Sequence, residues 1–168
     1  MYLNEKISLS EMAPLIRETL EKNGEVTFIS AGRSMLPVIR DRKDTVTLVK
    51  PRRDIKPGDI VFYQRDNGQF ILHRVMFVNS GKYVMRGDNQ WDNEYNIRRD
   101  QIIGVLKCFE RNGKIHNVTD RDYLMYVKFL PLIRFLRKTD YGFKSNVYKF
   151  VKYLLKRLKF IISGRIQF

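Results

Sequence analysis

Ile60-Val61-Phe62-Tyr63-Gln64-Arg65 and Gln69-Phe70-Ile71-Leu72-His73-Arg74-Val75-Met76-Phe77-Val78 are two runs rich in β-branched and aromatic residues, and Asp66-Asn67-Gly68 stands between them. Such side chains suit a pleated, half-buried surface, while Asp, Asn and Gly tolerate the backbone angles of a tight turn. The stretch therefore reads as strand, turn, strand. The same texture continues outward: Lys56-Pro57-Gly58-Asp59 precedes the first run, and Asn79-Ser80-Gly81 and Asn112-Gly113 punctuate later ones. We expect strands over 26–29, 45–49, 60–65, 69–78, 82–86, 102–110 and 114–118, forming an antiparallel, largely β body.

Helical periodicity appears only outside this region. Met12, Leu15, Ile16 and Leu20 follow a possible cap at Ser10 and precede a stop at Gly24, which predicts a short amphipathic helix. After Asp120 an apolar stretch over 123–136 is interrupted by Lys128 and broken by Pro131, leaving it too short to cross a bilayer. A second stretch sets Val147, Phe150, Val151, Leu154, Leu155, Leu158, Ile161 and Ile162 on one face, with Lys149, Lys152, Lys156, Arg157 and Lys159 largely opposite. That is the pattern of a basic amphipathic helix. The expected organisation is a largely β body over 1–119 and a basic helical tail over 120–168.

Composition supports a folded chain: 43% of the 168 residues are hydrophobic and 12% aromatic. The net charge of +14 is concentrated late. From Arg121 onward twelve basic residues face only Asp122 and Asp140, leaving +10 there and +4 over the first 120 residues. An anionic membrane surface is the expected partner of this tail, ahead of packing on its own body, with nucleic acid ranked third. Cys108 is the sole cysteine, so no intrachain disulfide forms, and no Cys or His cluster suggests a metal. No cofactor is expected. Charged residues interrupt the first 23 positions, which excludes a secretory hydrophobic region there.

A hydrolytic serine needs a base within reach, a group that orients the base, and donors for an oxyanion. Gly32-Arg33-Ser34-Met35-Leu36-Pro37 follows the first strand, in a segment where glycine allows close backbone approach. His73 can accept a proton near neutrality, whereas His116 has no partner pattern and reads as a surface strand residue. Gly87-Asp88-Asn89-Gln90-Trp91-Asp92-Asn93-Glu94 then offers three carboxylates, any one of which could fix the imidazole tautomer. Read alone, Ser34 could be a turn serine, His73 a satisfied strand residue and Asp88 a turn terminator.

The order of these segments resembles the signal peptidase and LexA-like serine peptidases, the S24/S26 superfamily. Ser34-Met35-Leu36-Pro37 is similar to the nucleophile box Ser-Met-x-Pro, and Lys56-Pro57-Gly58-Asp59-Ile60-Val61 is similar to the Lys-x-Gly-Asp-Ile-Val strand entry. His73-Arg74-Val75 falls where bacterial members carry a lysine base and the archaeal and endoplasmic-reticulum type carries histidine. Gly87-Asp88-Asn89 and Ile103-Gly104 resemble the remaining boxes, so the likeness covers roughly residues 31–106. It implies coiled antiparallel sheets in a mainly β (α+β) fold, with an extended peptide bound beside a strand. It also implies Ser34 as nucleophile, His73 as base, Asp88 as the orienting acid with Asp92 and Glu94 as alternatives, and Met35 and Gly32 at the substrate.

The resulting expectation is a serine endopeptidase that cleaves signal or leader peptides of a precursor protein. Its location would be peripheral, on the cytoplasmic face of a membrane. Two alternatives are a LexA-like self-cleaving regulator that binds nucleic acid and a catalytically silent membrane or peptide adaptor. Gly32 lacks the hydroxyl that bacterial relatives place two positions before the nucleophile, and nothing in the sequence assigns a role to Arg33.

Overall fold

The computed structural model describes residues 9–51 and 54–139. The chain divides into two compact units, 1–109 and 110–168. The first begins with helix α1 (Leu9–Asn23) and continues through β1 (Glu25–Ile29), β2 (Thr45–Val49), β3 (Ile60–Gln64), β4 (Phe70–Asn79), β5 (Lys82–Arg86) and β6 (Glu94–Ile97). A 3-10 turn (Arg99–Gln101) leads into β7 (Ile102–Arg111), followed by β8 (Lys114–Asn117) and helix α2 (Arg121–Thr139). The sheet order is β1-β2-β7-β3-β4-β5-β6, with β8 paired to β7. The described fold is an α+β arrangement of mostly antiparallel sheet with two helices, as the sequence texture predicts.

The β3–β4 hairpin sits near the middle of the sheet. Arg65 N–H donates to Gln69 O at 2.8 Å and Gly68 N–H to Arg65 O at 2.9 Å, closing the Asp66-Asn67-Gly68 turn. Between β4 and β5, Ser80 and Gly81 both take positive φ, at 47° and 74°. Positive angles at both central residues define the type I′ turn whose twist suits adjoining strands.

All of β3 except Gln64 is buried, so both faces of this strand are covered. On one face Phe62 stacks against Phe70 and tilts against Phe28, with ring centroids 5.8 and 5.5 Å apart. Gly104 lies directly opposite Phe62 on β7. A Cβ there would come within 3.2 Å of Leu48 and 3.4 Å of Leu20, so glycine lets α1 and β2 close over this face. On the other face Ile55, Val61, Tyr63, Val75, Tyr83, Met85, Ile97 and Ile102 form the core cluster. His73 is added to that second face by the alternation of β4, because it pairs with Val61.

Several local expectations change. α1 begins before Ser10, so the serine is not its cap, and Leu15 is 61% exposed while Ile16 and Leu20 are buried. Gly24 does end α1: its φ is +77° and its N–H donates to Leu20 O at 3.1 Å. Strand β6 falls in a segment that reads as loop, since Tyr95 is exposed and Asn96 takes φ +63°. Helix α2 continues through Pro131. Proline removes one backbone hydrogen bond, and the buried residues Tyr123, Tyr126, Leu130 and Ile133 on either side of it hold the helix together. No helix among the described residues is long and apolar enough to cross a membrane. The amphipathic stretch over 147–162 lies outside the described residues.

Candidate active site

Ser34 opens the turn that follows β1, in a segment pinned by local bonds. Gly32 N–H donates to Asp41 Oδ1 at 2.8 Å with Gly32 at φ +106°, an angle that favours glycine. Leu36 N–H donates to Arg33 O and Ile39 N–H to Met35 O, and the Leu36-Pro37 bond is cis. Met35 is buried. Arg33 projects outward with 83% of its side chain exposed, its guanidinium 4.0 Å from Asp41.

The Ser34 turn is tied to the loop after β5. Ser34 O accepts a 2.7 Å hydrogen bond from Asn89 N–H, and Asn89 Nδ2 donates to Arg33 O at 3.2 Å. Gly87 has to be glycine here, because a Cβ would fall 2.6 Å from Ser34 O and 3.0 Å from Ser34 Cβ. The outermost β4–β5 pair, at the end of the ladder away from Asn79 and Lys82, joins Arg74 to Arg86. Extending that register by one residue puts Gly87 across from His73, so Ser34 packs on the position facing the imidazole. Among the described residues, no hydrogen bond joins Ser34 Oγ to His73 itself.

His73 is 3% exposed. Its Nδ1 lies 3.2 Å from Tyr63 Oη and 3.9 Å from Glu94 Oε2. Tyr63 donates its phenolic proton to Glu94 Oε2 at 2.8 Å, and Arg65 grips both Glu94 oxygens, Nε to Oε1 at 2.7 Å and Nη2 to Oε2 at 2.6 Å. β3 supplies Tyr63, the turn after it Arg65, and β6 Glu94.

Burial is the main influence on His73 and pushes its pKa down to about 4; the Glu94 charge opposes this, Arg65 reinforces it and Asp88 opposes it. Burial also acts to raise Glu94, but hydrogen bonds from Arg65 and Tyr63, and then the Arg65 charge, outweigh it and hold this carboxyl below its ordinary range. Burial, followed by Glu94, pushes the Tyr63 phenol strongly up. At neutral pH the site therefore holds a neutral imidazole, a protonated phenol and an ionised carboxylate.

Asp88 belongs to a different constellation. Its two oxygens accept from Arg74, Oδ1 from Nε at 2.8 Å and Oδ2 from Nη2 at 2.6 Å, and both side chains are buried. Arg74 Nη1 also donates to Gly58 O at 2.6 Å. This fork joins the turn at 56–59 to the loop at 87–90, on the face of β4 opposite His73. Asp92 is exposed and lines an open cleft of about 650 Å³ with Arg65, Asn89, Trp91 and Glu94. Of the three candidate carboxylates, Glu94 is the one with an ion-pair distance to the imidazole among the described residues.

Sequence reasoning did not single out Tyr63 or Arg65. An aromatic in a strand reads as core, and the only available signal was the alternation that puts residue 63 on the same face as residue 73.

The sequence profile of the peptidase S24-like family matches residues 2–107, more than half of the chain and all of this site. The chain belongs to the peptidase S24-like family. No curated protein matches it.

Proposed function

We propose that the chain is a serine endopeptidase of the histidine-base type that cleaves signal or leader peptides, with Ser34 as nucleophile, His73 as general base and Glu94 as the carboxylate that orients the base. The packing of Ser34 on Gly87 is the observation that carries this reading, because the β4–β5 register, extended by one residue, sets Gly87 across from the buried His73. As the Ser34 Oγ–carbonyl bond forms, the serine proton moves to His73 and the carbonyl oxygen becomes an oxyanion. His73 then gives that proton to the leaving amine as the C–N bond breaks. Water attacks the acyl carbon as His73 takes its proton, and His73 then gives that proton to Ser34 Oγ as the C–Oγ bond breaks, which releases the acid and restores the hydroxyl.

Backbone N–H groups near Ser34 would receive the oxyanion. Met35 and Gly32 would border the peptide. The basic tail would hold the enzyme peripherally on an anionic cytoplasmic membrane face, where precursors are presented.

Family membership also favours a second reading, a LexA-like regulator that cuts itself. Incubating the purified chain with leader-peptide substrates separates the two. The first reading expects turnover of added peptide by an intact chain, abolished by Ser34→Ala. An intramolecular cut in the chain itself, with no turnover in trans, would favour the regulator.

A further inference from the structure

Tyr63 and His73 stand in a diagonal relation across the β3–β4 pair, since His73 faces Val61 and Tyr63 faces Ile71. Diagonal neighbours on one face of a sheet lie within reach of an aromatic side chain. The β3–β7 register shifts between Phe62 and Tyr63, with the extra residue, Ile103, on β7 rather than on the strand of the tyrosine. The hydroxyl comes between Nδ1 of the histidine and the carboxylate of Glu94.

Proton bookkeeping fixes the direction of the chain. A phenol has one proton to donate, and here it goes to Glu94, whose second role as acceptor from Arg65 requires an ionised carboxylate. The Tyr63 oxygen can then meet His73 Nδ1 only as an acceptor, so the proton of the neutral imidazole lies on Nδ1. The lone pair is left on Nε2. At 3.9 Å, Glu94 is too far from Nδ1 for a direct hydrogen bond.

We infer that Tyr63 is the positioning residue of the base: it holds His73 in the Nδ1–H tautomer and passes the orienting influence of the Arg65-anchored Glu94 to the ring. This rests on the reading of His73 as the base. In place of a carboxylate bonded directly to the histidine, the site uses a carboxylate, a phenol and an imidazole in series.

The test combines the imidazole nitrogen signals with steady-state kinetics on the full chain. His116 is the only other histidine, so His116→Gln assigns the ring signals. At neutral pH we expect His73 to carry its proton on Nδ1. Tyr63→Phe, which keeps the ring in the core, should lower kcat by about ten- to a hundredfold, the range seen when a partner orienting a functional imidazole is removed, with KM little changed. An Nε2–H tautomer in the unaltered chain, or an unchanged kcat in Tyr63→Phe, overturns the assignment. If the unaltered chain turns over no peptide, the peptidase reading fails, while the tautomer still decides whether Tyr63 holds the ring.

Discussion

His73 carries the most direct consequence at the scale of single residues. Its pKa in the fold, about 4, lies below the ordinary value of 6.5, so protonation favours the unfolded chain. Between those two values the unfolded state binds a proton that the folded state does not, and stability falls as pH falls through this window. Integrated over the window, the loss is on the order of 3 kcal/mol. Denaturant unfolding from pH 7 to pH 4 should show it, and a His73→Asn chain should lack that part of the slope. The acid limb of kcat/KM should likewise lie near pH 4; a limb near 6.5 would mean a solvated base or a different one.

Gly87 makes a second expectation at this scale. A methyl group there meets the Ser34 carbonyl at 2.6 Å and the Gln90 side chain at 2.8 Å. The glutamine can swing away, but the carbonyl belongs to the nucleophile turn. Gly87→Ala should therefore displace Ser34 and cut peptidase activity sharply while circular dichroism still reports the sheet. Full activity in that variant would show that Ser34 does not need its packing on residue 87.

Between elements, the β4–β5 register sorts the boxes that the sequence presented together. His73 and Arg74 are adjacent, yet strand alternation sends them to opposite faces, one toward Tyr63 and Glu94 and the other toward Asp88. The Gly-Asp-Asn box thus reads as catalytic in one dimension and as a buried ion pair in three. Removing one partner of a buried pair leaves an uncompensated charge, at a cost of about 3–5 kcal/mol. We expect Asp88→Asn to lose stability on that scale in a denaturant titration, and Glu94→Gln to lose turnover with the fold kept. An Asp88→Asn chain that is as stable as the original but inactive would return Asp88 to the orienting role.

The positions of Ser34 and His73 were legible because turn chemistry and strand alternation are local. β2 and β5 match their expected bounds for the same reason. β6 was not legible: Glu94-Tyr95-Asn96-Ile97 has little apolar alternation and pairs through only part of its length with β5. Glu94 consequently looked like one loop carboxylate among three. Its choice depends on Tyr63 and Arg65, which come from a strand and the turn after it about thirty residues earlier, and no local pattern encodes that meeting.

For the whole molecule, the asymmetry of charge is the dominant feature, with +10 of the net +14 after residue 120. Each lysine or arginine near an anionic leaflet contributes about 1 kcal/mol, and burial of an apolar stripe adds to it. The full chain should bind phosphatidylserine-containing vesicles in a salt-sensitive way in a flotation assay. Deleting residues 144–168 should abolish that binding and spare cleavage of a short soluble peptide. Indifference of the full chain to acidic vesicles would withdraw the membrane proposal.

The proposal that the chain is a Ser34–His73 peptidase meets its most direct test in a serine-directed fluorophosphonate, which needs no knowledge of the natural substrate. The reagent acts on a serine only where a base removes its proton and donors receive the developing charge. We expect labelling that maps by mass spectrometry to Ser34, is absent in Ser34→Ala and falls steeply in His73→Ala. A folded chain that takes no label, or takes it at another serine, would contradict the proposal.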